Sequence, residues 1–463
     1  LHWIEELMSD AMPDKILEPN LDILNQAHDM MLEEYDIDAV DVTVPEGSHD
    51  EEQVLMSGSD AIAYGSLDEG CRFISGYPMT PWTEVFTILS QNLPKVGGIS
   101  EQVEDEIAAA ALAVGASHAG AKAMSGSSGG GFALMSEPLG LAEMTETPVV
   151  LIEAMRAGPS TGMPTKPEQA DLEHVLYTSQ GDSQRVVFAP GTVEEAYTQT
   201  RKAFKIAYEY QIPAIVLYDQ KLGGELVSLP ASHFDEEPNP SLGSTLTEAE
   251  LAEAPHDESG KYSRFQHDVE DGVSPRSIPG QKGGRFLATG NEHTPEGHIA
   301  ESTANRVAQM DRRTQKLEAI HEELASQGDT HQTHYGPDEA TYGLMTFGSQ
   351  QGTVEEAVDM LNDQGYSTKA LGVSDMAPYP AEEVTEFIES VDEVLVIEMN
   401  ASAQFRGLTQ KELGQYGEKL SSLLKYNGNP FEPLDIVEGF KTTIIEGSEL
   451  SGAETKFVPA AGD

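Results

Sequence analysis

A single cysteine, Cys71, stands in 463 residues. One thiol excludes an internal disulfide framework and, by itself, an iron–sulfur cluster, which takes several. Basic residues are scarce as well: 27 Lys and Arg face 79 Asp and Glu. Nucleic-acid binding is excluded on that ground, because phosphate neutralisation needs clustered cations. No apolar run reaches the ~20 residues that span a bilayer, and no signal peptide is visible. The expectation is a soluble, cytoplasmic chain with no membrane segment. An initiator Met is also missing. The chain opens at Leu1 inside what reads as a helix, Ile4 to Met12, and is expected to be a fragment or one product of a longer polypeptide.

Negative charge is what the sequence has in excess. Its formal charge is −52, whereas a small soluble domain usually carries a magnitude of about 2–8. The acids are spread over helix faces and loops and do not form one tail. Such self-repulsion destabilises a compact state unless it is screened, a lever that halophiles use. At molar salt the Debye length falls to ~3 Å. A salt-filled cytoplasm is therefore the predicted setting, with a solvated acidic surface preferred over a docking face for a basic partner.

Residues 1–55 are acidic and weakly periodic, without strand–helix alternation. From Met56 the rhythm changes. Short apolar strands (Cys71 to Ile74, Ala121 to Met124, Val149 to Ile152, Val186 to Phe188, Ala214 to Leu217) alternate with helices, among them Ala61 to Glu69, Pro81 to Leu93 and Val193 to Tyr210. That pattern predicts an α/β domain over 56–225, its parallel sheet covered on both faces. Residues 226–340 lose the alternation and are rich in Pro, Gly, Ser and acids, with one convincing helix, Asn305 to Leu324. A tract so long is expected to be an excursion packed across other domains. A second α/β unit is predicted over 341–445, with 446–463 as a tail.

Candidate chemistry collects in the first unit. Glu104 leads a helix that runs almost wholly apolar to Gly120, and a helix without a polar face is normally buried. An acid there complements the helix dipole or does catalytic work. The loop Ser125-Gly126-Ser127-Ser128-Gly129-Gly130-Gly131 lies between a strand and a helix. It suits either an anion at a helix N-terminus or a tight turn where backbone meets backbone. It lacks the Lys-Ser/Thr ending of a P-loop and the spacing of a dinucleotide fingerprint. Arg156 follows the strand at 149–152, where ligands of open α/β sheets bind, and its fork suits a carboxylate. A surface ion pair is the competing role for Arg156, and a turn hydroxyl the competing role for Thr80. Gly348 to Gly352 reads as a structural turn. His331 and His334 have metal-ligand spacing but no third ligand.

Four motifs in this order give the chain a family resemblance: Gly-Tyr-Pro-Met-Thr-Pro (76–81), Gln-Val-Glu-Asp-Glu-Ile-Ala (102–108), Ser-Gly-Ser-Ser-Gly-Gly-Gly-Phe (125–132) and Arg-Ala-Gly-Pro-Ser-Thr-Gly-Met-Pro-Thr (156–165). Each alone is weak. Together they resemble the α subunit of 2-oxoacid:ferredoxin oxidoreductases, most closely the 2-oxoglutarate type and next the pyruvate type. Gly-Asn-Glu-His (290–293) and Leu-Lys-Tyr-Asn-Gly-Asn-Pro-Phe (424–431) extend the likeness from Met56 to Gly439.

The resemblance implies a thiamine diphosphate enzyme whose cofactor is shared with a β subunit. Residues 56–225 would be the pyrimidine-binding domain, 341–445 a transketolase-C-terminal-like domain, and 1–55 the tail or linker of an upstream γ-type domain. Magnesium, its Gly-Asp-Gly site and the [4Fe-4S] cluster would belong to the partner, in an (αβ)2 heteromer. The activity implied is oxidative decarboxylation of a 2-oxoacid with coenzyme A, electrons passing to ferredoxin. Glu104 would contact the cofactor's aminopyrimidine, Thr80 and Arg156 would bind substrate, and Gly126, Ser127, Ser128 and Gly129 would line the cofactor ring. One departure bears on the substrate pocket: Met79 and Trp82-Thr83 replace the family's Ile and small residues. A non-catalytic structural subunit and a transketolase-like synthase are the alternatives, the latter lacking its diphosphate motif here.

Overall fold

The computed structural model describes residues 1–36, 51–234, 237–326 and 332–447, with the backbone alone of 454–456. The chain divides into two units, Leu1–Glu52 and Gln53–Asp463. The first holds helices His2–Ala11 and Asp14–Glu34. The first of these matches the helix read from sequence at Ile4 to Met12, while the second lies in a stretch read as weakly periodic. Among the described residues no helix is long and apolar enough to cross a membrane.

Two twisted sheets with helices on their faces build the second unit. The larger has seven strands, in the order Asp375–Ala377, Val186–Phe188, Pro213–Asp219, Val149–Met155, Lys122–Ser127, Cys71–Gly76 and Ile99–Gln102. All of its pairings are parallel except the outermost, Asp375–Ala377 on Val186–Phe188. The central strands are buried on both faces, as expected of apolar runs without alternation. The smaller sheet runs Glu454–Lys456, Leu420–Leu424, Glu393–Glu398, Tyr342–Thr346, Thr368–Gly372, Thr333–Tyr335, antiparallel only at the last. One buried cluster joins the sheets, with Phe132, Leu151 and Ile215 beside Phe347, Leu371 and Phe405. Side chains of this kind contribute roughly 1.5–3 kcal/mol each on full burial.

Three departures from the sequence reading share one cause. Asp375–Ala377 comes from the second α/β unit yet closes the first sheet. The 226–340 tract contains Leu226–Pro230, paired with Gln53–Ser57, and Thr333–Tyr335, paired with Thr368–Gly372. Beyond residue 446, Glu454–Lys456 adds a strand to Leu420–Leu424. Strands of three to five residues carry too little periodicity to be read; three of them are added at edges of the two larger sheets, while Leu226–Pro230 and Gln53–Ser57 pair only with each other.

The excursion's helix extends over Thr303–Ser326, and its inward face is largely charged: Gln309, Arg312, Arg313, Lys316 and Ile320 are buried. Arg312 and Lys316 converge on Glu146, Arg312 Nη1 at 2.8 Å and Lys316 Nζ at 2.6 Å from its Oε2. Arg264 reaches the same corner, donating to the Glu146 carbonyl at 3.2 Å. The excursion is therefore an ion-paired strap over the amino end of strand Val149–Met155. A different clamp serves the carboxyl end. Gln169 donates to Asp219 (3.1 Å) and the Phe347 carbonyl (2.8 Å), and its Oε1 accepts from Met399 N (3.0 Å). It pins the segment leading to Asp171 between the two sheets.

Candidate active site

Strands Cys71–Gly76, Lys122–Ser127 and Val149–Met155 are parallel neighbours, so their carboxyl ends share one sheet edge. Ligands of open α/β sheets bind at such an edge. After the first strand, Tyr77 to Pro81 leads into helix Trp82–Asn92. Trp82 is fully buried, and a Cβ at position 126 would come within 2.6 Å of its indole. Gly126 is therefore a packing requirement set by Trp82. The Met79 and Trp82 departures consequently sit against the Gly/Ser loop, where Ser127 Oγ lies 3.6 Å from Met79 Sδ.

After the second strand, Ser127 Oγ donates to Glu106 Oε1 at 2.9 Å. A side chain at Gly131 would collide with both the Glu106 carboxylate and the Ser127 hydroxyl. The Gly131 backbone approaches because it has no Cβ. One turn of helix, Gly129–Phe132, follows, and the Gly129 N–H donates to Glu153 Oε1 at 2.6 Å. After the third strand, buried Arg156 donates through Nη1 to the Thr80 carbonyl at 2.6 Å. The structure thus brings together Thr80, Arg156, Gly126, Ser127, Ser128 and Gly129.

Glu104 is not among them. The helix begins at Glu106, with Asp105 as N-cap accepting the Ala108 N–H at 2.7 Å. Glu104 lies before the cap and is exposed, while Glu106 is 4% exposed. The buried carboxylate at the head of this helix is Glu106, two positions beyond the one predicted from sequence. The missed signal was Asp105, whose short side chain reaches the third helical N–H and fixes where the helix starts. Nor is the helix wholly buried: Ile107 and Leu112 are exposed on its outer side. The outer face of this helix is apolar and, among the described residues, uncovered at Ile107 and Leu112.

Three further acids escaped the sequence reading. Glu153 is fully buried, and burial, reinforced by the charge of Asp171, pushes its carboxyl well above the usual range. Burial also raises Asp171. Glu168, which accepts the Gly158 N–H at 3.1 Å, is raised to about 6 by burial, with Asp171 adding to the shift. The charge of Arg156 reaches both Glu153 and Asp171, and perturbed groups in a cleft mark functional sites. His334 bonds Glu383 at 2.7 Å, and His331 lies outside the described residues. Among the described residues no group of three or more His, Cys, Asp or Glu is placed to hold a metal.

A family model for the thiamine diphosphate-binding region of pyruvate flavodoxin/ferredoxin oxidoreductases matches residues 64–313. One for core domain II of pyruvate:ferredoxin oxidoreductase matches 340–436. The α subunit of 2-oxoacid:ferredoxin oxidoreductase 2 from Aeropyrum pernix is 31% identical over 97% of this chain and 70% of its own length.

The chain belongs to the α subunits of the 2-oxoacid:ferredoxin oxidoreductases.

This α subunit is also 30% identical to the 2-oxoglutarate synthase subunit KorA of Methanothermobacter thermautotrophicus, over 83% of this chain and 97% of that one. The solved 2-oxoglutarate:ferredoxin oxidoreductase of Magnetococcus marinus, with 2-oxoglutarate, coenzyme A and succinyl-CoA bound, superimposes with a TM-score of 0.81. The match is 32% identical and covers 95% of this chain and 73% of that one. Against another such α subunit, from Sulfurisphaera tokodaii, the chain spans 65% of the relative's length. The sheet edge fits the cofactor named by the family model. Ser128 Oγ and Trp82 Nε1 are buried near the ends of these strands without a hydrogen-bond partner among the described residues, and buried polar atoms left unpaired call for a ligand or an ordered water.

Proposed function

We propose that this chain is the pyrimidine-side half of a thiamine diphosphate-dependent enzyme that oxidatively decarboxylates a 2-oxoacid, 2-oxoglutarate first. Coenzyme A accepts the acyl group, carbon dioxide leaves, and the electrons pass to ferredoxin. The observation that carries this reading is the buried Glu106–Ser127 pair at the sheet edge, next to Arg156 and Thr80. Thiamine diphosphate, when bound, supplies the electron sink for decarboxylation.

This chain's residues do the rest. Glu106, rather than Glu104, is the carboxylate we assign to the aminopyrimidine nitrogen, with Ser127 holding its Oε1. The fork of Arg156, set by the Thr80 carbonyl, takes a substrate carboxylate. The Ser128–Gly131 backbone lines the ring, and burial keeps water from the reacting centre.

A β subunit completes the site in this proposal. The single thiol offered here, Cys71, is buried and pushed up to about 12 by that burial, which makes it a poor cluster ligand. Magnesium, the diphosphate site and the [4Fe-4S] centre are assigned to the partner in an (αβ)2 assembly. The exposed Ile107 and Leu112 support a covering chain. The net charge of −52 supports work in a salt-rich cytoplasm.

A viologen-linked assay of the native complex against 2-oxoglutarate, pyruvate and branched 2-oxoacids tests the substrate class. Turnover with pyruvate alone would move the reading to the pyruvate type. A colourless, inactive assembly would leave only a structural subunit. Glu106→Gln is expected to lower turnover by roughly three orders of magnitude or more, about 4 kcal/mol of barrier, without loss of assembly. Glu104→Gln is expected to stay within about threefold of wild type. The reverse result would return the catalytic carboxylate to Glu104.

A further inference from the structure

Glu153 sits at the carboxyl end of strand Val149–Met155, and its two oxygens meet different surroundings. Oε1 accepts the Gly129 N–H at 2.6 Å. Oε2 is buried and receives no N–H or O–H from a described residue; the Asp171 carboxyl lies at the same turn, its Oδ2 3.2 Å from where a Cβ on Gly129 would stand, and pairs with the Glu153 carboxyl. Two carboxyl groups held together away from water form a hydrogen bond only when one carries a proton.

We propose that Glu153 is a positioning residue that works as the neutral acid: its carbonyl oxygen holds the Gly129 amide while its O–H is donated to Asp171. The proton thereby fixes the Ser128–Phe132 turn, whose Gly131 packs against the Glu106–Ser127 contact. Its effect on turnover rests on the proposed reading of that turn as the cofactor cradle; the proton itself does not.

The choice of Glu153 over Asp171 as proton holder follows from their neighbours. Glu153 is fully buried, and Asp171 is only half-buried. Asp171 is favoured as the charged partner by His174, from the helix it precedes, and by Arg156. Facing Glu153 are Asp171, Arg156 from its own strand end, and Tyr218 from the neighbouring strand Pro213–Asp219. Glu168 adds a further negative charge near Asp171. Arg156 is thus a permanent cation whose charge reaches both Glu153 and Asp171. Ionising Glu153 would set two unshielded carboxylates against each other beneath the turn, and the turn would loosen as pH rises.

Glutamine at 153 separates this role from mere packing. Its carbonyl still accepts the Gly129 N–H, its amide still donates to Asp171, and it cannot titrate. The measurement is amide hydrogen exchange over residues 128–134 in the native complex, followed by mass spectrometry against pH and corrected for intrinsic rates. Wild type should hold its protection through neutral pH and lose about tenfold on the alkaline side, the equivalent of one hydrogen bond. Glu153→Gln should keep the neutral protection and lose the alkaline fall. Asp171→Asn, which removes the like charge, should move that fall to lower pH. Glu153→Ala should exchange about tenfold faster throughout.

An alkaline fall that persists in Glu153→Gln overturns the proposal, as does neutral exchange in that variant as fast as in Glu153→Ala. An Asp171→Asn midpoint that does not move overturns the pairing. Turnover recorded across the same pH range keeps the two readings apart. If exchange follows the pattern and turnover ignores it, the proton stands and the cradle falls.

Discussion

Two buried glutamates flank strand Val149–Met155 and are held in opposite charge states. Glu146, at the amino end, would be raised by burial alone. Arg312 and Lys316, helped by Arg264, override that and hold its carboxyl well below the usual range. Glu153, at the carboxyl end, has Asp171 for a neighbour and is held well above it. Burial is equal; company decides. At the amino end a carboxylate is saturated with cations and can only tie elements together. At the carboxyl end acids outnumber cations, polar atoms of Ser128 and Trp82 lack partners, and the backbone is pinned at Gly129. The Glu146 carboxylate is satisfied within the chain, while Glu153 Oε2 receives no hydrogen from a described residue.

Removing Glu146 should break this contrast most severely. Glu146→Ala leaves Arg312 and Lys316 buried without their counter-charge and should destabilise the protein by about 3–5 kcal/mol, read as a shift in urea midpoint at constant salt. Glu153→Gln should show no such loss and should raise the midpoint at neutral pH, where the wild-type carboxyl must take up a proton to fold. Equal losses would show that the two ends are built alike.

Acid separates the two glutamates in sign. Glu146 binds its proton more weakly folded than unfolded, so its stabilisation is present above the unfolded carboxyl value of about 4.3 and is lost as pH falls below it. Glu153 binds its proton more tightly when folded, so it increasingly opposes folding as pH climbs above about 4.3 toward its raised value. The advantage of Glu153→Gln over wild type should therefore grow with pH across that window, while the deficit of Glu146→Gln should shrink as pH drops. Parallel midpoint-against-pH curves for the two variants would refute the assigned charge states.

The smallest expected effect is at the helix start. Asp105→Ala removes the N-cap and should lower stability by about 1 kcal/mol. Because the cap also fixes which acid turns inward, the same variant should loosen the Glu106–Ser127 contact and lower turnover more than that stability change suggests. Turnover unchanged in Asp105→Ala would mean that packing against Gly131, and not the cap, orients Glu106.

Much of this was legible in the chain. Continuous apolar runs such as Val149–Val150–Leu151–Ile152, each followed by helix signals, gave away the parallel sheet, because a strand buried on both faces has no polar alternation to hide. The Gly/Ser loop and Arg156 could be placed at strand ends for the same reason. The sequence does not tell which acid at this helix start is buried, because Glu104, Asp105 and Glu106 stand in a row and only cap geometry distinguishes them. The exposure of Ile107 and Leu112 was not legible at all, since an apolar helix looks the same whether its own chain or another covers it.

Local order thus determined the elements: hydrophobic period, turn residues and capping chemistry act over a few neighbours and are written in sequence. The tertiary structure alone decided charge. Glu146 meets Arg264, Arg312 and Lys316, all far along the chain, whereas Glu153 meets Asp171 across a clamp made by Gln169. Whether a buried carboxyl is a carboxylate or an acid depends on which distant groups the fold sets against it, and electrostatic energy in a low-dielectric interior depends on distance in space, for which separation along the chain is no guide.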